Sequence, residues 1–501
     1  MSDSRNASSA GSARTAEPAT LRRGSVHKLG VLGQAVSEVG PTAAIAIVVG
    51  LIAEVAGNGN WLSWTLALPV FLLAGYCFAT MSREHSTTGG LPHLVAKIAS
   101  PRFGLPVGIL LIAFGIVFLP FGLMVFDNYF QSLMNLFGVP GHDWLLILGG
   151  LIGSFGPTYL VYKDVRLAAK FMLVAETLSV LLIVVLLVVI LARHQGGVFD
   201  SSQLTLKGSS GHLILLGAVF SCLTFVGFEC TTTFGQEAHN AKRTIPFSIY
   251  GILVGGGLLF IVAAYTMTLG FQGHKGSLAT SANPLQDLSD IYGVHWLNYP
   301  LQAAVVVGMF AVGLAFLNFA ARMLFTYARE GLVPRALGRV DPRTQTPRNA
   351  IAAILAFNLI VFWIMYVTGH DTVAEFGYMA SALTLLYLIG YVIALVAIGV
   401  NGVARRHAGL ASAALLATAG FGYIIYNSLS PAPAPPQDVY NYVTLAAAAV
   451  ILAGCGALSV RRPDIVARFG STIDADTELA EQEARAGLPA AQAGGVMTEA
   501  G

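Results

Sequence analysis

The sequence predicts an all-α protein that crosses a membrane many times. Three observations predict it. Charged residues are only 11% of the 501 and hydrophobic residues 55%, with a mean hydropathy of +0.69, whereas soluble domains carry about 25% charged residues. Long, uniformly apolar runs recur along the chain. Lysine and arginine gather on alternate connections between those runs.

Twelve runs qualify as spans: 29–56, 61–81, 104–126, 144–162, 167–192, 213–236, 246–271, 297–321, 349–368, 376–400, 410–428 and 439–460. About 20 apolar residues of helix cross the roughly 30 Å hydrocarbon layer. A β-barrel is excluded, because barrel strands alternate over short stretches. With the N-terminus inside, 25 of the 28 basic residues fall on the cytoplasmic side. Only Arg193, Lys207 and Lys275 fall outside. That asymmetry predicts twelve spans in the plasma membrane with both termini cytoplasmic. Residues 1–28 are rich in Ser, Ala and Thr and lack the apolar core of a signal peptide. They and residues 461–501 read as disordered tails. A net charge of +2 gives no reason to expect a nucleic-acid partner. Cys77, Cys222, Cys230 and Cys455 all sit in apolar runs, as small core residues do. His85 and His93 share a cytoplasmic loop without a metal-ligand pattern, so neither metal nor cofactor is expected. No nucleophile–base spacing marks a catalytic residue or an enzyme, and no phosphate-binding glycine loop marks an ATPase. "GILVGGG" (Gly251–Gly257) predicts close helix packing.

Two carboxylates belong inside the membrane by length alone. Between Glu38 and Glu54 lie 15 uncharged residues, about 22 Å of helix and too short to cross. The span must reach back past Glu38. In span six, Leu213–Phe228 gives 16 uncharged residues, roughly 24 Å, so the span continues through Glu229. Asp127 can reach the outer surface, and Glu176 can reach the inner one from the start of span five. An ionisable group within a span is by default a functional-site hypothesis.

Span one also carries Gly40-Pro41. Proline lacks an N–H and clashes with the carbonyl four residues back, while glycine tolerates unusual dihedrals. A simple kink is one outcome. The other is a stretch opened over Val39–Ala43, whose bare main-chain groups must line a cavity or be buried in protein. Span six repeats the pattern more weakly, with Gly227 beside Glu229. Spans one and six open two five-helix halves, 29–192 and 213–400, the second inverted because five is odd. Residues 408–460 add two helices. Interrupted spans at matching places in inverted halves point to a central binding site. Bare N–H groups suit a carboxylate, and bare carbonyls or a glutamate suit an ammonium.

These residues resemble the amino acid–polyamine–organocation superfamily of secondary transporters. "GFECTTTFGQEAHNAKRTIPFSI" (Gly227–Ile249) looks like that family's sixth span and its exit. "NFAARMLFTYAREGLVPRALGRVDPRTQTP" (Asn318–Pro347) is similar to its span-eight exit, and "STTGGLPHLVAKIASPRFG" (Ser86–Gly104) to its loop after span two. The resemblance implies a 5+5 inverted-repeat core with discontinuous helices 1 and 6, and alternating access. It implies substrate contacts at Val39, Gly40, Pro41, Thr42 and Ala43 and at Phe225, Val226, Gly227, Phe228 and Glu229. Span one departs from the family's Gly-Ser-Gly run, losing an N–H at Pro41 and offering the Thr42 hydroxyl.

The expected function is secondary transport of an amino acid or related organic amine, by proton symport or by exchange. Glu229 and then Glu38 are the expected coupling residues, because burial disfavours the charged carboxylate and so favours proton uptake. Between Val305 and Asn318 span eight has no Ser or Thr, which argues against a sodium site. A channel and a non-transporting nutrient sensor are the rival readings. Arg322 and Arg329 read as anchors of a basic inner loop. Phe118, Phe121 and Met124 are candidate side-chain contacts. The sequence leaves the substrate and a homo-oligomer open.

Overall fold

Uniformly apolar runs leave the backbone few ways to satisfy its N–H and C=O groups in lipid, and helices close those bonds within one segment. The structure, a computed structural model, describes residues 26–471 apart from Ser86, His142, Asp164, Gln236, Pro342, Gln345, 369–371 and 431–434. Among those residues all regular structure is helical, and the one β-bridge pairs Val26 with Ala238. In chain order the main helices are α1 (Lys28–Val39), α2 (Val49–Ala56), α3 (Asn60–Glu84), α4 (Gly90–Ile98), α5 (Pro101–Leu136), α6 (Asp143–Lys163) and α7 (Val165–Arg193). They continue as α8 (Gly211–Phe225), α9 (Ala241–Phe271), α10 (Asn298–Arg329), α11 (Arg348–Thr368), α12 (Thr372–Ala404), α13 (Ala408–Leu429) and α14 (Gln437–Arg461).

Eleven described helical segments are long and apolar enough to cross a membrane. The sequence reading has twelve. The difference lies at the start, where Lys28–Glu84 runs as one 57-residue helical stretch. Straight, it would be about 85 Å long, nearly three bilayer cores. It is not straight. At Gly57 the backbone takes φ 54° and ψ −124°. Beyond it, the Asn60 side chain donates to the Val49 carbonyl at 3.1 Å. Eleven residues of continuous helix would hold those two residues roughly 16 Å apart, so the chain folds back on itself there.

The outer surface is oily. Val174, Leu178, Leu181, Val185 and Val188 form an exposed stripe along α7 at three- and four-residue spacing. In water such a stripe would be an association surface; on a multi-pass membrane protein it faces lipid. Inside, glycines let helices approach. A Cβ on Gly257 would stand 2.5 Å from Leu68 on α3, and one on Gly104 2.5 Å from the Pro92 carbonyl on α4. Within the glycine run of α9, Gly251 faces Leu32 in the same way, but Gly255 meets nothing within 4 Å.

Both ends of the described stretch are tied to the ends of helices. The Val26 N–H donates to the Glu237 carbonyl at 2.8 Å, and the His239 N–H to the Val26 carbonyl at 2.9 Å. After α14, Pro463–Val466 forms a short helix and Phe469 is buried against His93 and Tyr327. The Gly470 N–H donates to Glu330 Oε1 at 3.1 Å. The remainder of the two expected tails, 1–25 and 472–501, lies outside the described residues.

Candidate functional site

The first break is at Gly40. Its φ of 59° and ψ of 60° are left-handed, so α1 stops there. Pro41 then starts a new turn, the place where a missing N–H costs least. Ser37 would accept its helical bond from residue 41, and proline has no N–H to give. The restarted helix is widened over Ala44–Val48, a π-helical stretch, before α2 continues. Side chains from other helices serve this distorted backbone. Tyr129 donates its hydroxyl to the Ala46 carbonyl at 3.2 Å, and Asn60 reaches Val49. A local π turn is a known companion of functional sites.

The second break follows α8. Val226 is extended at φ −59° and ψ 138°, Gly227 is left-handed at φ 101°, and Phe228–Phe234 continues as a 3₁₀ helix. Runs of seven 3₁₀ residues are long, because their hydrogen bonds are poorly aligned. The threonine triplet supports this one. Thr231, Thr232 and Thr233 donate their hydroxyls to the carbonyls of Phe228, Glu229 and Cys230, at 3.2, 2.7 and 2.7 Å. The two breaks touch: a Cβ on Gly227 would stand 2.7 Å from Glu38 Cγ. Glycine at 227 therefore serves two ends, the positive φ and the space taken by the Glu38 side chain.

Three buried glutamates surround this meeting point. Glu38 accepts from Gln34 Nε2 at 3.1 Å, Glu176 accepts from the Thr42 hydroxyl at 2.7 Å, and Glu229 accepts from the Tyr391 hydroxyl. Each keeps its other oxygen, Oε1, buried without a hydrogen-bond partner. Buried polar atoms are nearly always paired, so three bare carboxyl oxygens around two broken helices stand out from the rest of the interior. From Glu38 a polar chain runs along α1 and α10 to Glu237. Gln34 Nε2 also donates to the Ala315 carbonyl at 3.0 Å, and Asn318 donates to Gln34 Oε1 at 2.9 Å. Arg322 Nε donates to Asn318 Oδ1 at 3.2 Å and Arg322 Nη1 pairs with Glu237. The guanidinium also lies 4.0 Å from the centre of the Phe234 ring. Every side chain in this chain is buried.

A small cavity of about 40 Å³ lies against the first break. Glu38, Val39, Gly40 and Ala43 line it, together with Leu223 and Thr224 from the last turn of α8. Its far wall is aromatic, with Phe114 and Phe118 from α5, Phe316 from α10 and Phe376 from α12. Of the residues expected at the site, Val39, Gly40, Ala43 and Glu38 therefore face the cavity. Pro41 and Thr42 are buried beside it, with Thr42 turned to Glu176. Phe225 and Phe228 pack away from it: Phe225 against Trp64, Phe71 and Phe260, and Phe228 stacked on Phe78. Val226 and Glu229 are buried and do not line it. Phe118 is on the wall, while Phe121 and Met124 are core residues. A second cavity beside Ser154 and Asn358 has no titratable lining residue.

The sequence reading gives Arg322 only the role of a loop anchor and Glu176 a place near a surface, and it does not single out Tyr391. Arg322 sits four residues after Asn318 on one helix face, and Asn318 bonds Gln34 of α1. That i, i+4 polar pair inside an apolar helix was the available signal. Nothing local to Tyr391 pairs it with a glutamate 162 positions away.

Helices with an oily outer surface, two broken segments and an inner cavity define a polytopic membrane protein. The chain matches the profile of the family described as "Amino acid permease" over residues 30–458, and it belongs to that family. It is 25% identical over 363 residues to cationic amino acid transporter 4 of Homo sapiens, covering 68% of this chain and 55% of that protein. It is 24% identical over 309 residues to the low-affinity putrescine importer PlaP of Escherichia coli K12, covering 60% of this chain and 66% of that one. Against the branched-chain amino acid permease BcaP of Bacillus subtilis it is 23% identical over 330 residues, 60% of this chain and 67% of that one. The match thus spans little more than half the length of the human relative and about two thirds of the bacterial ones.

Proposed function

We propose that this permease is a secondary active transporter. It carries an amino acid or related organic amine across the plasma membrane by alternating access, coupled to a proton in symport or exchange. In this reading Lys28–Glu84 crosses the membrane twice, which makes twelve crossings with both termini cytoplasmic. Residues 29–192 and 213–400 are inverted repeats, and 408–460 adds two helices. The observation that carries the reading is that breaks at Gly40 and Gly227 meet beside one cavity, with the Glu38 carboxyl between them. Main-chain irregularity at membrane depth is tolerated only where it is buried or lines a cavity, and here it does both.

In this reading Glu229 and Glu38 carry the coupling proton, each having one oxygen free to take it. Substrate amine and proton then compete for negative charge at one place, which ties the two movements together. The test is uptake into proteoliposomes with an inward proton gradient. Glu229→Gln should fold normally and lose gradient-driven accumulation, with Glu38→Gln showing the same defect. Normal pH-driven uptake by the Glu229 variant would remove that residue from coupling. Binding without flux in the unmutated protein would assign the chain to the sensor reading.

A further inference from the structure

Resting on that transport reading, we infer that the cavity selects a solute with one ammonium group and a bulky apolar body, and discriminates against solutes with a second cation. Among the described lining residues, Glu38 is the one ionisable side chain. It is 3% exposed and its Oε1 has no hydrogen-bond partner. One carboxyl group can neutralise one ammonium. Opposite it stand Phe114, Phe118, Phe316 and Phe376, with Met309 and Val312 on the same helix as Phe316.

The rings support one another and form a continuous surface. Phe118 is 4.7 Å from Phe316 and 5.6 Å from Phe114, centre to centre, and Phe376 meets Phe118 at 6.4 Å. Such a wall rewards apolar area removed from water. A second ammonium carried on a flexible chain would leave water and find no carboxylate among these residues. A buried charge without a partner is strongly disfavoured. The three relatives are named for cationic amino acids, for putrescine and for branched-chain amino acids. The lining chemistry fits the last kind of body, aliphatic or aromatic, over the first two.

The test uses purified full-length protein in proteoliposomes, with labelled leucine, phenylalanine, phenethylamine, alanine, lysine, arginine and putrescine. Leucine or phenylalanine, or the amine phenethylamine, should exceed lysine, arginine and putrescine by at least about tenfold in uptake at low concentration. Phenylalanine against phenethylamine tells whether the solute must also carry a carboxylate. Preference for lysine, arginine, putrescine or alanine would overturn the assignment while leaving a working permease. No uptake of any amine would overturn both this assignment and the transport reading. Met309→Glu supplies the missing second carboxylate on the wall. In a variant that elutes as a single species on size exclusion, it should shift the uptake ratio toward lysine and putrescine over leucine. An unchanged ratio in that folded variant would also count against the cavity as the selecting surface.

Discussion

A Cβ on Gly227 would stand 2.7 Å from Glu38 Cγ, on backbone at φ 101° that L side chains rarely adopt. Strain and overpacking add at this one position, since neither the 3₁₀ segment nor the buried glutamate can give way cheaply. Gly227→Ala should therefore cost about 2–4 kcal/mol of stability and abolish uptake. Gly255→Ala is the matched control. Its Cβ would meet nothing within 4 Å, and its helix is regular. That change should be neutral or slightly stabilising, by up to about 1 kcal/mol. Thermal unfolding of both variants in detergent checks the contrast. Equal effects would mean that the junction of the two breaks is looser than its geometry shows.

Between elements, a buried ion pair joins Arg322 on α10 with Glu237, which follows the 3₁₀ segment. Asn318 and Gln34 extend it to α1, so one polar chain holds three elements in register. Removing one partner strands the other charge. Arg322→Met should cost about 3–5 kcal/mol, and the double change Arg322→Met/Glu237→Gln should recover much of that loss. A thermal-unfolding cycle of the two single variants and the double measures the recovery. An exposed inner anchor, the role that counting basic residues assigns to Arg322, would cost almost nothing when removed. That difference shows where sequence reading stops. Gly40-Pro41 was legible because the break is local: two adjacent residues cannot continue a helix. Gly227 was fainter, having no proline beside it, and the threonine bonds that sustain its 3₁₀ run appear only in three dimensions. Glu38 and Glu229 followed from counting residues against membrane thickness. The aromatic wall did not, because Phe316 and Phe376 come from helices about 200 and about 260 positions beyond Phe114 and Phe118, and apolar residues in a span look alike until the helices are packed. The sequence places Glu176 near the surface by its distance from the start of span five. It is instead fully buried against Thr42, facing Gly308 on α10, where a side chain would collide with that pair.

For the molecule as a whole, the question is whether Lys28–Glu84 crosses the membrane once or twice, since every later segment inherits its side from the answer. The fold-back at Gly57 argues for two crossings, with the Asn60–Val49 bond closing the turn. The distribution of basic residues argues the same way, because a single crossing would put the basic N-terminal segment on the opposite side from all the later basic loops. The chain carries its own means of testing this. Cys77, Cys222, Cys230 and Cys455 are all buried, so a membrane-impermeant maleimide should find little background. Lys28, Arg83, Lys275 and Arg339 are exposed positions at which to introduce one cysteine each. With two crossings, Lys28→Cys and Arg83→Cys share a side and label only after cells are permeabilised. Lys275→Cys should label in intact cells, and Arg339→Cys, across α10, should not. If Lys28→Cys and Arg83→Cys label from opposite sides, the stretch crosses once. The two five-helix halves would then lose their inverted relation, and Gly40 and Gly227 could no longer be matching breaks of one repeat.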